Sequence, residues 1–117
     1  MILVIDSDEV MGGCIMRTLQ KNGFDGQLSN NAIEAMNLIS DSEAPEMVFL
    51  DVMLSGPDGF TFLNEMASYA DTMKTPIVVV AEKDYSSYDL SEYNVVGFLD
   101  KNTMKPEEIV FYAREYA

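Results

Sequence analysis

The chain has 117 residues, 48% of them hydrophobic, and no polar tract, so it is sized for one domain with a real core. Twenty Asp and Glu against seven Lys and Arg leave a net charge of -13, which disfavours nucleic acid and anionic membranes, since both require basic patches. With no histidine and a single cysteine, the sequence excludes an internal disulfide, most zinc geometries and every His-dependent nucleophile, leaving carboxylates, lysine and hydroxyls to carry any chemistry.

The run Met1 to Ile5 is apolar, lacks a basic leader and stops at Asp6, too short for a signal peptide or a membrane span. It reads as a buried strand, and a cytoplasmic location is the expectation. Met11, Ile15, Thr18 and Leu19 then recur at helical spacing as far as Gly23, a helix stop. Cys14, inside this helix, is expected to be a buried small hydrophobe rather than a redox thiol. A weaker strand candidate follows at Phe24 to Leu28, and a second helical stripe at Ala32, Ala35, Met36 and Ile39.

Residues 47–50 form the next short apolar run, followed by a stripe at Phe60, Leu63, Met66 and Ala70. Another run spans 76–80. The segment 84–94 is polar and weakly periodic and is read as a short helix, and 95–99 form the last apolar run. A final stripe at Ile109, Tyr112, Ala113 and Tyr116 begins at Pro106, with Glu107 and Glu108 suited to the positive end of a helix dipole. The methionines and aromatics on these stripes are read as core packing.

Five strand and helix units in alternation imply a doubly wound α/β fold in a single domain, residues 1–117, with helices on both faces of a five-stranded parallel sheet. Ligands of such sheets bind beyond the carboxyl ends of the strands, where strand order reverses. The residues that follow the strong runs are Asp6, Asp51, Ala81 and the pair Asp100 and Lys101. If the first and third strands are neighbours, Asp6 and Asp51 meet and Lys101 arrives from the far side. Crowded carboxylates resist ionising together unless a cation neutralises them, and an oxygen-only cluster suits Mg²⁺. The metal and Lys101 would stabilise charge on a transferring phosphoryl group, and an Asp carboxylate can accept it as an aspartyl-phosphate. Asp6 alone would mean only the solvent boundary of a strand; Asp6, Asp51 and Lys101 together mean more.

Ile2 to Glu9 (ILVIDSDE), Met47 to Gly59 (MVFLDVMLSGPDG) and Gly97 to Lys101 (GFLDK) resemble the receiver domains of bacterial response regulators in two-component phosphorelay signalling, over nearly the whole chain. The resemblance implies a flavodoxin-like sheet of strand order 2-1-3-4-5. It also implies Asp51 as phosphoacceptor, Lys101 as the partner of the phosphoryl oxygens, Asp6 as a Mg²⁺ ligand through water, and the Met53 carbonyl as a backbone ligand. Its partners would be a histidine kinase or phosphotransfer protein and a downstream protein or effector domain.

The chain departs from the family's pattern at several switch positions. Ser7 stands where a second acid usually binds the metal, so the affinity for Mg²⁺ is expected to fall unless Asp8 reaches in; Asp8 is equally suited to capping the following helix. Ala81 replaces the switch hydroxyl and can donate nothing. Glu82 takes the place of a small residue, and its charge would repel a phosphoryl dianion if it points inward. Phe98 keeps the ring of the usual Tyr without its hydroxyl. Asn102 replaces a proline, and since a cis bond there would cost roughly 3 kcal/mol, a trans bond and a shifted loop are expected. The stretch from Ala81 to Phe98 is shorter than usual, which puts the loss in the fourth helix, where Tyr85, Tyr88 and Tyr93 form an exposed aromatic set able to anchor a partner.

Two other readings are open. These departures also fit a pseudo-receiver, the same fold used as a phosphorylation-independent interaction module. Asp6 to Val10 also resembles the Asp-x-Asp-x-Val motif of haloacid-dehalogenase-type phosphatases, with Asp6 as nucleophile and Asp8 as general acid; the chain length and Ala81 speak against it. A turnover enzyme is not the expectation, only self-phosphorylation from a donor.

Overall fold

Every apolar run becomes a strand in the computed structural model, which describes residues 1–41, 43–53, 59–82 and 90–117. The strands are β1 (Ile2–Ile5), β2 (Gly26–Ser29), β3 (Met47–Asp51), β4 (Ile77–Ala81) and β5 (Val95–Asp100). Between and after them run the helices α1 (Glu9–Lys21), α2 (Ala32–Asp41), α3 (Gly59–Ser68) and α4 (Pro106–Tyr116). All strand pairings are parallel, in the order β2-β1-β3-β4-β5, as the resemblance implied.

The central strands β1, β3 and β4 are buried at every position, because helices cover both of their faces. On one side Leu3, Ile5, Val48, Leu50, Ile77 and Val79 pack against α2 and α3 through Ala35, Phe62, Leu63 and Met66. On the other, Ile2, Val4, Phe49, Val78 and Val80 meet α1 and α4 through Ile15, Leu19, Ile109 and Ala113. The edge strands β2 and β5 are only partly buried. β5 also carries a register irregularity opposite Ile77 and Val78, which leaves Val96 outside the paired register.

Asp8 caps α1 by accepting from the Val10 and Met11 amides at 3.0 and 3.3 Å. Gly23 ends it at φ 83°, a left-handed position that suits glycine. α4 starts as expected at Pro106, with the Lys105 amide donating to the Glu108 carboxylate.

Three expectations are corrected. Cys14 is exposed, because the inward stripe of α1 runs through Gly12, Ile15 and Leu19, and residue 14 is rotated off it. Ala70 lies beyond the end of α3 and is exposed. Tyr93 is half-buried rather than exposed: its ring packs on the core and its hydroxyl donates to Asn64 Oδ1 at 2.6 Å. Of the helix expected over 84–94, residues 84–89, with Tyr85 and Tyr88, lie outside the described residues, while 91–94 form a turn. Among the described residues no helix is long and apolar enough to cross a membrane.

Gly59, the first residue of α3, is where this scaffold is tightest. Its amide donates to the Val52 carbonyl at 3.1 Å, and a Cβ there would collide with the Val52 Cα and crowd the Asp51 carbonyl. The helix start is thereby pressed onto the segment that carries Asp51. Gly59→Ala is expected to cost at least about 2 kcal/mol in urea unfolding and to move the Asp51 to Met53 amide resonances, since backbone has to give way.

Candidate functional site

β1 and β3 are adjacent and in register from Ile2 opposite Met47 to Ile5 opposite Leu50, so the residues that follow, Asp6 and Asp51, stand side by side at the carboxyl edge of the sheet. Both are buried, Asp6 at 1% exposure and Asp51 at 5%. Lys101 comes from the β5 side. Ala81 pairs with Asp100, and the Lys101 amide donates to the Ala81 carbonyl at 3.0 Å, which fixes where its side chain sets out.

The Lys101 ammonium closes the triad. Nζ donates to Asp51 Oδ2 at 2.9 Å and to Asp6 Oδ1 at 3.1 Å, and stands 2.9 Å from Asp6 Oδ2. Each carboxylate is held from behind by an amide two residues on: Asp8 N donates to Asp6 Oδ1 at 2.9 Å and Met53 N to Asp51 Oδ1 at 2.9 Å. Asp100 uses the same device with the Asn102 amide at 2.8 Å, which shapes the turn after β5, and the Lys101 to Asn102 bond is trans, as expected.

Burial raises the pKa of Asp6 above the usual carboxylate value, against the lowering pull of the Asp8 amide and Lys101. For Lys101, burial pulls downward, but hydrogen bonds to Asp51 and Asp6 and their charges outweigh it and hold the ammonium above its ordinary pKa. Asp6 Oδ2 has no hydrogen bond among the described residues despite the nearby ammonium, so a buried carboxylate lone pair is left to spare.

A pocket of about 310 Å³ opens over the triad, lined by Ser7, Asp8, Asp51, Met53, Glu82 and Lys101. Every one of these positions is singled out by the sequence. Asp8 lines the pocket, and its Oδ1 caps α1, the capping role foreseen for it. Ala81 is buried at 3% exposure and offers no hydroxyl; Phe98 lies on the β5 edge, 38% exposed. The amide anchors behind the two aspartates escape sequence reasoning, although an Asp at a strand end, two residues before a free loop amide, is their signal.

The donor set can be tested for a cation from these atoms. Asp6 Oδ2, ion-paired with Lys101 but accepting no hydrogen bond among the described residues, and the burial that raises the Asp6 pKa both favour one. Against tight binding, no three acids form a metal-holding cluster among the described residues. The residues fit a Mg²⁺ ion that keeps most of its waters.

A model of the response regulator receiver domain matches residues 2–113. The chain belongs to the response regulator receiver domain family. Over 83 residues it is 34% identical to the response regulator MprA of Mycobacterium sp. (strain KMS), which covers 71% of this chain and 35% of that protein. The chain thus spans about a third of the length of the curated relatives it matches. The chemotaxis protein CheY4 of Vibrio cholerae superposes with a TM-score of 0.86 at 19% identity, over 99% of this chain and 97% of that one. The response regulator TrrA of Thermotoga maritima, solved in complex with Mg²⁺ and BeF, gives 0.83 at 19% identity, over 97% and 96%. At such identities these likenesses speak for the fold.

Removing the cation of the triad strands two buried carboxylates, so Lys101→Met is expected to destabilise by about 3 kcal/mol at neutral pH. The folded pKa of Lys101 lies above its unfolded value, so its contribution is complete below pH 10.5 and is lost as pH rises through the folded value. The folded pKa of Asp6 is raised, so its ionisation erodes stability as pH rises above 3.8. Urea midpoints across pH are expected to fall more steeply at alkaline pH in the wild type than in Lys101→Met. Asp6→Asn should remove the acid-side erosion.

Proposed function

We propose that this receiver domain takes a phosphoryl group on Asp51 from the phosphohistidine of a kinase or phosphotransfer protein, with Mg²⁺ assistance, and thereby modulates a protein interaction. The observation that carries this reading is the Lys101 ammonium shared between the Asp51 and Asp6 carboxylates in a pocket open to a donor. In the transfer, an Asp51 oxygen forms the new bond to phosphorus as the bond to the donor imidazole nitrogen breaks. The imidazole leaves with the electron pair and then takes up a proton.

Lys101 is positioned to follow the charge from the carboxylate to the phosphoryl oxygens, because its donors already face Asp51 Oδ2. The amide of Met53 holds Asp51 Oδ1, which leaves the opposite oxygen oriented toward the ammonium and the pocket. Asp6, Asp51 and the Met53 carbonyl would hold the metal, with Asp8 as a further carboxylate at the rim; the ion would supply positive charge where two acids and a phosphoryl group crowd together.

A second reading, the pseudo-receiver, is favoured by Ala81, whose buried side chain has no hydroxyl to donate to a phosphoryl oxygen. The phosphatase reading requires Asp8 as a free general acid, whereas its carboxylate is engaged as the α1 cap.

Acetyl phosphate with excess Mg²⁺ is expected to add the mass of one phosphoryl group, removed by Asp51→Ala and strongly slowed in Lys101→Ala. Intact-mass spectrometry reads this directly. No adduct at any Mg²⁺ concentration would leave the interaction module as the function.

A further inference from the structure

Glu82 follows the last residue of β4, is exposed and lines the same pocket as Asp51 and Lys101. Asp8 and Asp51 share that lining, so three acidic residues border the pocket with one lysine. The lysine's ammonium is already divided between Asp51 and Asp6. Among the described residues the ion pairs are that of the Met1 amino group with Glu46 and the two made by Lys101, so none of them neutralises Glu82. Nor do three acids form a metal-holding cluster among these residues. The negative charge absent at Ser7, on the β1 side of the pocket, is present instead on the β4 side.

We infer that Glu82 is a specificity-determining residue that discriminates against small, free, multiply charged phosphodonors at Asp51. The inference rests on the phosphoacceptor reading above. A donor such as acetyl phosphate has to bring its negative charge past Glu82 before the Asp51 oxygen can bond to phosphorus and acetate can leave with the electron pair. A unit charge about 6 Å from a dianion in water changes the local concentration of that dianion by roughly tenfold. Salt weakens this because the Debye length at physiological ionic strength is about 8 Å. A donor residue held by a docked protein is insulated from the effect, since the protein interface supplies the binding energy that a free anion lacks.

Glu82→Gln keeps the size of the side chain and removes its charge. With acetyl phosphate at fixed, saturating Mg²⁺, the initial rate of Asp51 phosphorylation in Glu82→Gln is expected to exceed that of the wild type by roughly threefold to tenfold. The wild-type rate should rise with added potassium chloride more steeply than the variant's. Equal or lower rates in Glu82→Gln, or parallel salt profiles, overturn the inference. If neither protein is phosphorylated, the phosphoacceptor reading fails by itself. The charge effect is then read separately, by titrating inorganic phosphate with Mg²⁺ and following the Asp51 to Met53 amide resonances: tighter phosphate binding in Glu82→Gln supports it, and unchanged binding overturns it.

Discussion

One ammonium holds two buried carboxylates at the rim of the sheet, and much of the architecture can be understood as what that arrangement demands. Asp6 and Asp51 can be neighbours only if β1 and β3 are paired in register, since one residue of slip would turn one of them away. Lys101 can reach both only if β5 ends level with β4, which the pairing of Ala81 with Asp100 and the bond from the Lys101 amide to the Ala81 carbonyl secure. Four crossovers and a strand order that reverses at β1 bring together groups separated by up to 95 positions in the chain. The helices do the rest by excluding water from both faces, which strengthens the attraction of Lys101 for its partners and makes their mutual dependence strict.

The interior of this fold could be read from the chain because its strands are continuous apolar runs and its helices carry stripes at a period of 3.6. The site could be read for a simpler reason: charged residues that stop an apolar run must lie where the strand leaves the core. What could not be read depends on contacts between elements. Cys14 sits one position from a buried stripe, and the packing of α1 on β1, β2 and α4 decides which of its faces is covered. Tyr93 has the composition of an exposed interface ring, yet a hydroxyl bond to Asn64 across 29 positions seats it against the core. The ammonium's double engagement with Asp6 likewise follows from distance, which no spacing rule supplies.

Two physical demands meet at the pocket, and this chain treats them differently. Accepting charge requires an acid, a cation facing it and room above them, and Asp51, Lys101 and the opening between Ser7 and Glu82 meet that demand with close geometry. Reporting charge by the switch hydroxyl that the resemblance implies needs a donor able to move toward it. At the end of β4 the buried methyl of Ala81 can neither donate nor be drawn toward the pocket, and Phe98 on β5 has a ring with no hydroxyl to follow it.

An output that depends on Asp51 therefore has to be carried by something other than a hydroxyl at residue 81. The candidates within reach are electrostatic. The pocket is bordered by more acidic residues than basic ones, and a dianion added there would alter the balance of forces on Lys101, which sits beside the turn that Asp100 shapes with the Asn102 amide. That turn leads directly to Pro106 and α4, whose Phe111 is exposed on the surface. Lys101 is joined to that turn by covalent backbone, whereas residue 81 offers the pocket no side-chain donor through which charge could act.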